Sequence, residues 1–353
     1  MITGAYTVFE PLNIGSPQYF ELFYRAMDDR KLLTPLYSGL RNTIPGDRFL
    51  GTKTPQPPLD EQAAIVRFLD LTNGRLDRTI RAKRKVIALL NEQKQAIIHR
   101  TVTRGLDPSV PLKPSGIPWL GVIPQHWEVR RSKYVYREVD RRSGSGAETH
   151  LSMSQRFGLI PSSQIEGRRL VSESYVGAKL CEEGDLVLNR LKAHLGVFSL
   201  ARESGLVSPD YTVLRPAGEI DGRFFESVYR TPACRVELRQ RAKGIVQGFW
   251  RLYTDDFYDI RVPVPPVEEQ HLIMSQLDSD LSGVNIAISR LDREIELLRE
   301  YRTRLVADVV TGKLDVREAA ERLPDDAAHE LADDNDNVDE DVIIAADEED
   351  VAA

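Results

Sequence analysis

Two long stretches of this chain keep a heptad beat, and nothing else in the sequence restricts the fold as tightly. From Leu59 to Thr101, the residues Ile65, Leu69, Leu76, Ile80, Ile87, Leu90 and Ile97 fall at steps of three and four, with Thr72, Lys83 and Lys94 filling the gaps. From Glu268 to Val310 the same beat runs through Ile273, Leu277, Val284, Ile288, Leu291, Ile295, Leu298, Leu305 and Val309. Apolar residues repeating every 3.5 positions form a seam that must bury itself against a second helix. At 1.5 Å per residue, each helix is expected to be on the order of 60–65 Å long.

The punctuation around these helices repeats too. "TPQPPLDEQ" (54–62) precedes the first and "PVPPVEEQ" (263–270) the second, 208 residues apart. The prolines stop each helix from running backwards, and Asp60, Glu61, Glu268 and Glu269 sit in the first turn, where the helix dipole favours acids. Gly105 and Gly312 stand where left-handed caps would end the helices. Gly74 and Gly283 interrupt the seams at a cost of roughly 1 kcal/mol each relative to Ala, and close helix approach is the expected reason. Other landmarks recur at an offset of 205: "YTVFEP" (6–11) as "YTVLRP" (211–216), and "YFELFYR" (19–25) as "FFESVYR" (224–230). "TRGLDP" (103–108) returns as "TGKLDV" (311–316). Such ordered landmarks indicate a tandem internal repeat of about 205–208 residues.

Between the helices the texture changes. Residues 108–124 are rich in Pro and Gly. Short β-leaning runs follow at 126–139, 149–153, 184–191, 194–201 and 210–216, with one helix candidate at 223–242. The reading is an α/β (α+β) domain set between two coiled-coil helices. Trp119 and Trp127 flank a proline turn and are expected to pack the entrance of that domain.

Charge divides the chain. Residues 318–353 hold 15 acids and one base, a net of −14, so the remainder carries about +7 of the overall −7. The acidic tail is expected to be disordered, having too little apolar surface to bury. The basic body is compatible with a nucleic-acid partner. Two cysteines, Cys181 and Cys234, make no disulfide scaffold, and the start of the chain shows no signal peptide, so a cytoplasmic protein without a membrane span is expected. His194 has no second ligand at metal spacing. There is no GxxxxGK[ST] loop, no Asn-Pro-Pro-aromatic motif and no glycine-rich cofactor loop, while "RSGSGAE" (142–148) reads as a flexible loop.

The domain–helix–domain–helix order resembles the specificity subunit of type I restriction–modification systems. The resemblance is carried by "GIPWLGVIPQHWEVRRSKY" (116–134), "GDLVLNRL…GLVSPDYTVLRP" (184–216), "PVPPVEEQ", "VVTGKLDV" and the helix within 54–107. It implies five segments: the distal part of a first target-recognition domain (1–56), a central spacer helix (57–107), a complete recognition domain (108–263), a second spacer helix (264–317) and the acidic tail (318–353). The recognition-domain opening occurs once, near residue 115, and its counterpart would fall about 90 residues before Met1. The chain as written is therefore expected to read one half-site, or an interrupted palindrome if two chains pair through their helices. The resemblance further implies a subunit without catalysis of its own, bound to double-stranded DNA. Modification (methyltransferase) subunits and an ATP-dependent restriction subunit would assemble with it. S-adenosylmethionine, ATP and Mg2+ would belong to those partners, with no cofactor for this chain. The alternative is a non-catalytic coiled-coil scaffold with an α/β insert.

Base and phosphate contacts call for Arg, Lys, Asn, Gln and Ser on loops. Three clusters combine them: Ser152, Ser154, Gln155 and Arg156; Asn189, Arg190, Lys192 and His194; and Arg241, Lys243, Gln247 and Arg251 beside Trp250.

Overall fold

The computed structural model describes residues 7–11, 15–39, 43–154, 157–165, 174–246 and 249–323. They fall into two compact units, one built from residues up to Leu89 together with those from Ile286 onward, the other from Leu90–Asn285. The acidic tail beyond Leu323 lies outside the described residues.

In the first unit, helix α1 (Pro17–Asp29) and the short α2 (Gly46–Leu50) precede the long helix α3 (Leu59–Arg104). The final third of α7 (Val267–Val310) packs beside α3, and α8 (Arg317–Glu321) follows. Tyr19, Phe23 and Ala26 of α1 bury against Ile65 and Leu69 of α3 and Leu305 and Val309 of α7. Asp77 receives a 2.8 Å bond from Arg302, and Lys83 pairs with Glu294, so the two helices run antiparallel here. From 81 to 96 of α3 only Lys83, Ile87, Leu90 and Lys94 are shielded from solvent, which is the expected seam. The lysines at seam positions bury their stems while their ammonium groups reach the neighbouring helix.

The second unit holds strands β1 (Leu112–Pro114), β2 (Val122–Pro124), β3 (Glu128–Arg131), β4 (Tyr136–Val139), β5 (Leu151–Ser154) and β6 (Gly158–Pro161). Strands β7 (Lys179–Cys181), β8 (Leu186–Asn189), β9 (Phe198–Leu200), β10 (Gly205–Val207) and β11 (Tyr211–Pro216) follow. Then come α4 (Gly222–Arg230), α5 (Pro232–Arg241), β12 (Lys243–Val246), β13 (Phe249–Arg251), α6 (Thr254–Tyr258) and β14 (Arg261–Val264). The central sheet has the order β4-β11-β8-β9 and is antiparallel throughout. One hydrophobic cluster joins its inner face to α4 and to both long helices through Val102, Ile273, Leu277 and Leu281. Aromatic rings interlock edge to face in this core, as Trp127 does on Phe224 and Tyr136 on Phe225. The helices are antiparallel in this unit as well: Lys94 donates to Asn285 at 2.8 Å, while Gly105 lies beside Glu269. Leu281 and Arg302 occupy the two seam positions of α7 that the heptad reading skipped.

The continuous helix expected at 223–242 is two helices. Pro232 has no N–H to carry α4 onward, and Thr231, extended at φ −59° and ψ 142°, restarts the chain by accepting from the Cys234 N–H. Gly105 and Gly312 do adopt left-handed φ of 72° and 74° at the helix ends. Gly283 does not serve close approach: a methyl group there would meet nothing within 4 Å.

The two proline-headed junctions make the same bonds. The side chain of buried Gln62 accepts from the Ser16 N–H (2.7 Å) and donates to the Pro57 carbonyl (2.8 Å). Buried Gln270 accepts from the Asp221 N–H (2.9 Å) and donates to the Pro265 carbonyl (2.8 Å). Ser16 and Asp221 are the N-cap residues of α1 and α4. Each glutamine thus satisfies the amide of a cap residue whose side chain is already turned onto its own helix.

Candidate nucleic-acid interface

Three loop regions of the second unit carry the expected polar residues. The first is the β5–β6 hairpin. Ser152 Oγ lies 2.6 Å from Ser162 Oγ, which in turn sits 2.5 Å from His150 Nδ1, and Ser154 Oγ accepts from the Phe157 N–H. Both serines are thus partly engaged in shaping the hairpin. Phe157 is 60% exposed at its end. Gln155 and Arg156, between Ser154 and Phe157, lie outside the described residues.

The second region follows β8. Asn189 closes the turn by accepting from the N–H groups of Leu191 (3.1 Å) and Lys192 (3.3 Å). Gly196, left-handed at φ 81°, ends the next short turn, and the side chain of Arg235 lies against it. Arg190 points inward: its guanidinium donates to Thr212 Oγ1 at 2.6 Å and to Glu138 Oε1 at 3.2 Å. Glu138 also meets the buried Lys179 at 3.5 Å. This ionic group ties the turn to β4 and β11. Of the His194 side chain nothing is described.

The third region is the β12–β13 hairpin with the end of α5. Lys243 and Arg251 are cross-strand partners. Both cations approach the Tyr253 ring, at 5.5 Å and 5.8 Å from its centroid. Lys243 pairs with Asp256 at 2.8 Å, Arg251 with Asp210 at 3.2 Å, and Arg241 with Glu237 one turn back on its helix. Trp250 is 44% exposed on the hairpin, and Gln247 lies outside the described residues.

The structure brings the second and third regions together. The Leu252 N–H donates to the Arg190 carbonyl at 3.0 Å, and Asp210, partner of Arg251, adjoins Tyr211, which pairs in register with Asn189. The β5–β6 hairpin belongs to a separate apolar cluster, where Leu151, Met153 and Leu159 pack on Val187, Val197 and Val213. The combined surface offers exposed aromatic faces, hydroxyls and cations held by carboxylates. Such cations are oriented in advance and exchange a carboxylate for a phosphate without gross movement. Phe157 and Tyr253 were not among the sequence candidates. An aromatic beside a run of polar loop residues, as at "QRF" and "WRLY", is the available signal. Glu138, Lys179, Asp210 and Asp256 carried no local signal, because their partners lie 13 to 52 residues away on other elements.

Among the described residues no group of three or more His, Cys, Asp or Glu stands where it could hold a metal ion. No helix among them is long and apolar enough to cross a membrane.

The helix pairs, antiparallel in each unit, and the α/β domain form a fold shared with a solved chain of a type I restriction–modification system. A solved chain described as "Structural basis underlying complex assembly and conformational transition of the type I R-M system" matches 85% of this chain and 72% of its own length, with a TM-score of 0.57 and 18% identity. In sequence the chain is a homologue of curated specificity subunits. It is 25% identical over 289 residues to the type I restriction enzyme MjaVIII specificity subunit of Methanocaldococcus jannaschii, covering 76% of this chain and 64% of that protein. It is 22% identical over 276 residues to the putative type I restriction enzyme MjaX specificity subunit of the same organism, covering 75% and 60%. The chain thus spans about three fifths of the length of the curated relatives it matches. No protein-family model matches it.

Proposed function

We propose that this chain is the DNA-recognition component of a type I restriction–modification complex, reading double-stranded DNA with the domain at 108–263 and scaffolding its partners through the long helices. The observation that carries this is the loop cluster of Asn189, Lys243, Trp250 and Arg251. It stands on a rigid antiparallel sheet whose core is continuous with both helices. Loops fixed by a stiff scaffold can hold side chains at constant register against base edges.

In this reading the chain does no chemistry. Methyl transfer, with S-adenosylmethionine, belongs to the modification subunits, and ATP- and Mg2+-dependent cleavage to the restriction subunit. The matching bonds of Gln62 and Gln270 support a duplicated unit, with 1–56 as the distal portion of a first recognition domain and 57–107 and 264–317 as the spacers. Arg251, Lys243 and Asn189 are the foremost contacts. Arg190 fits a positioning role, since its guanidinium is held by Glu138 and Thr212.

The test is methylome sequencing of cells expressing the chain with its cognate modification subunit, alongside duplex binding by the purified pair across a salt series. A defined methylated motif is expected, with affinity falling steeply as salt rises. Arg251→Ala is expected to relax one position of the motif or weaken binding at all sites. No methylation, and no salt-dependent duplex binding by the purified pair, would overturn the proposal.

A further inference from the structure

The first unit carries a basic stripe on α3. Along α3, Arg75, Arg78, Arg81, Arg84 and Lys85 stand outside the seam, and all but Arg78 are exposed. Among the described residues no carboxylate pairs with any of the five, whereas their neighbours Asp77 and Lys83 are committed to Arg302 and Glu294 of α7. Arg78, Arg81 and Lys85 project from α3 within a narrow arc, since they are three and four residues apart. Five unneutralised cations over about 15 Å of helix repel one another unless an anion covers them.

The chain itself leads an anion there. After α7, Val316 buries against the first turns of α3, and Arg317 comes within 3.9 Å of Glu61. Six residues later the Leu323 carbonyl accepts from Arg67, 2.9 Å away and six residues further along α3. The chain therefore advances alongside α3 as far as Leu323, which lies beside Arg67, eight residues before Arg75. From there the sequence supplies 13 acids and no Lys or Arg between Pro324 and Ala353. Thirty residues reach roughly 100 Å when extended, several times the length of the stripe.

We infer that the basic stripe of α3 is the docking surface of this chain's own acidic tail. The segment is tethered within eight residues of the stripe, so its effective concentration there is on the order of millimolar before any contact forms. Docking neutralises the stripe and keeps it from nucleic acid, so the tail acts as a built-in competitor against contacts outside the recognition loops.

The experiment is zero-length carbodiimide cross-linking of the full chain at low salt, read by mass spectrometry, with the Lys83–Glu294 pair as internal control. Links from Lys85 to carboxylates beyond Leu323 are expected, and they should disappear in high salt while the control persists. This arm needs no DNA, so it stands or falls apart from the proposed function. A second arm compares nonspecific duplex affinity at low salt for the full chain and a chain ending at Leu323. Each is also made with Arg78→Gln, Arg81→Gln and Lys85→Gln. Removing the tail should tighten binding on the order of fivefold with the stripe intact and leave it unchanged with the stripe neutralised. Tail links to Lys192 or Lys243 in place of Lys85, or equal gains from truncation with and without the stripe, would overturn the inference. So would neutralisation of the stripe that lowers DNA affinity equally in both lengths without any tail link, which would make it a DNA surface instead.

Discussion

The two glutamine junctions use the same bonds in unlike surroundings. At Gln62 the clamp holds α1, and the apolar cluster around it contains Tyr19 and Phe23 with residues of α3 and α7. At Gln270 it holds α4, and the cluster around it includes Trp127, Tyr136, Phe198, Phe224, Phe225, Tyr229 and Phe257. The outer ion pairs differ as well: Arg223 with Asp278 and His271 with Asp221 at the second junction, Arg317 with Glu61 at the first. The difference shows which parts of the repeated motif are structural necessity. Proline, acid and glutamine recur because a long helix must start there and receive the cap of a shorter one, whatever domain stands behind it.

The largest effect expected concerns the helix seams of the two units, each taken by itself. Leu69→Asp and Leu277→Asp each put a carboxylate where the side chain is almost wholly buried, and each should cost several kcal/mol. Leu291→Asp, at a half-buried position, should cost less. Thermal unfolding of the three variants gives the order, and equal losses at all three positions would refute a seam whose burial varies along its length.

Next come the clamps themselves. Gln62→Ala and Gln270→Ala each strand a buried amide and a proline carbonyl, and each should cost about 1–3 kcal/mol. Hydrogen exchange should report the loss locally, at the Ser16 amide in one variant and the Asp221 amide in the other. A global loss from either variant with no local increase at its amide would mean that the clamps are not the holding element.

A smaller effect of opposite sign is expected at Gly283. Its site on α7 is helical and open, so Gly283→Ala should stabilise by about 1 kcal/mol and raise the midpoint of thermal unfolding by a few degrees. A lower midpoint would reveal a backbone approach at this glycine.

The smallest effect separates the units by pH. Burial holds the His99 and His150 rings below the usual histidine range, and Arg104 adds repulsion at His99. The unfolded chain takes up protons near pH 6.5 that the folded second unit refuses until lower pH. The stability these rings contribute is therefore present above about 6.5 and lost as pH falls below it. The described residues of the first unit contain no histidine. There Asp70 is raised by burial and by Glu21, so its contribution has the reverse sign, favouring the folded state as pH falls through the carboxylate range. Hydrogen exchange between pH 7 and 5 should show the second unit losing protection first. Loss in the opposite order would contradict this assignment.

What could be read from the chain alone was whatever local order encodes. Heptad spacing placed the seam, prolines and acids placed the helix starts, and Gly105 and Gly312 placed the ends, because each of these signals acts within a few residues of itself. The β-leaning runs marked β3, β4, β5, β8, β9 and β11, six of the fourteen strands among the described residues, for the same reason. Tertiary structure decided what depends on partners far along the chain. It assigned the repeated glutamine its two bonds across 46 and 49 residues. It turned Arg190 inward onto Glu138, 52 residues away, where its loop position had suggested an outward contact. It gave Lys243 and Arg251 their carboxylates and a shared aromatic ring. Residue type and spacing state which groups have the chemistry to meet a phosphate or a base edge. Which of them remain available is set by long-range ion pairs and packing, and no local pattern records those.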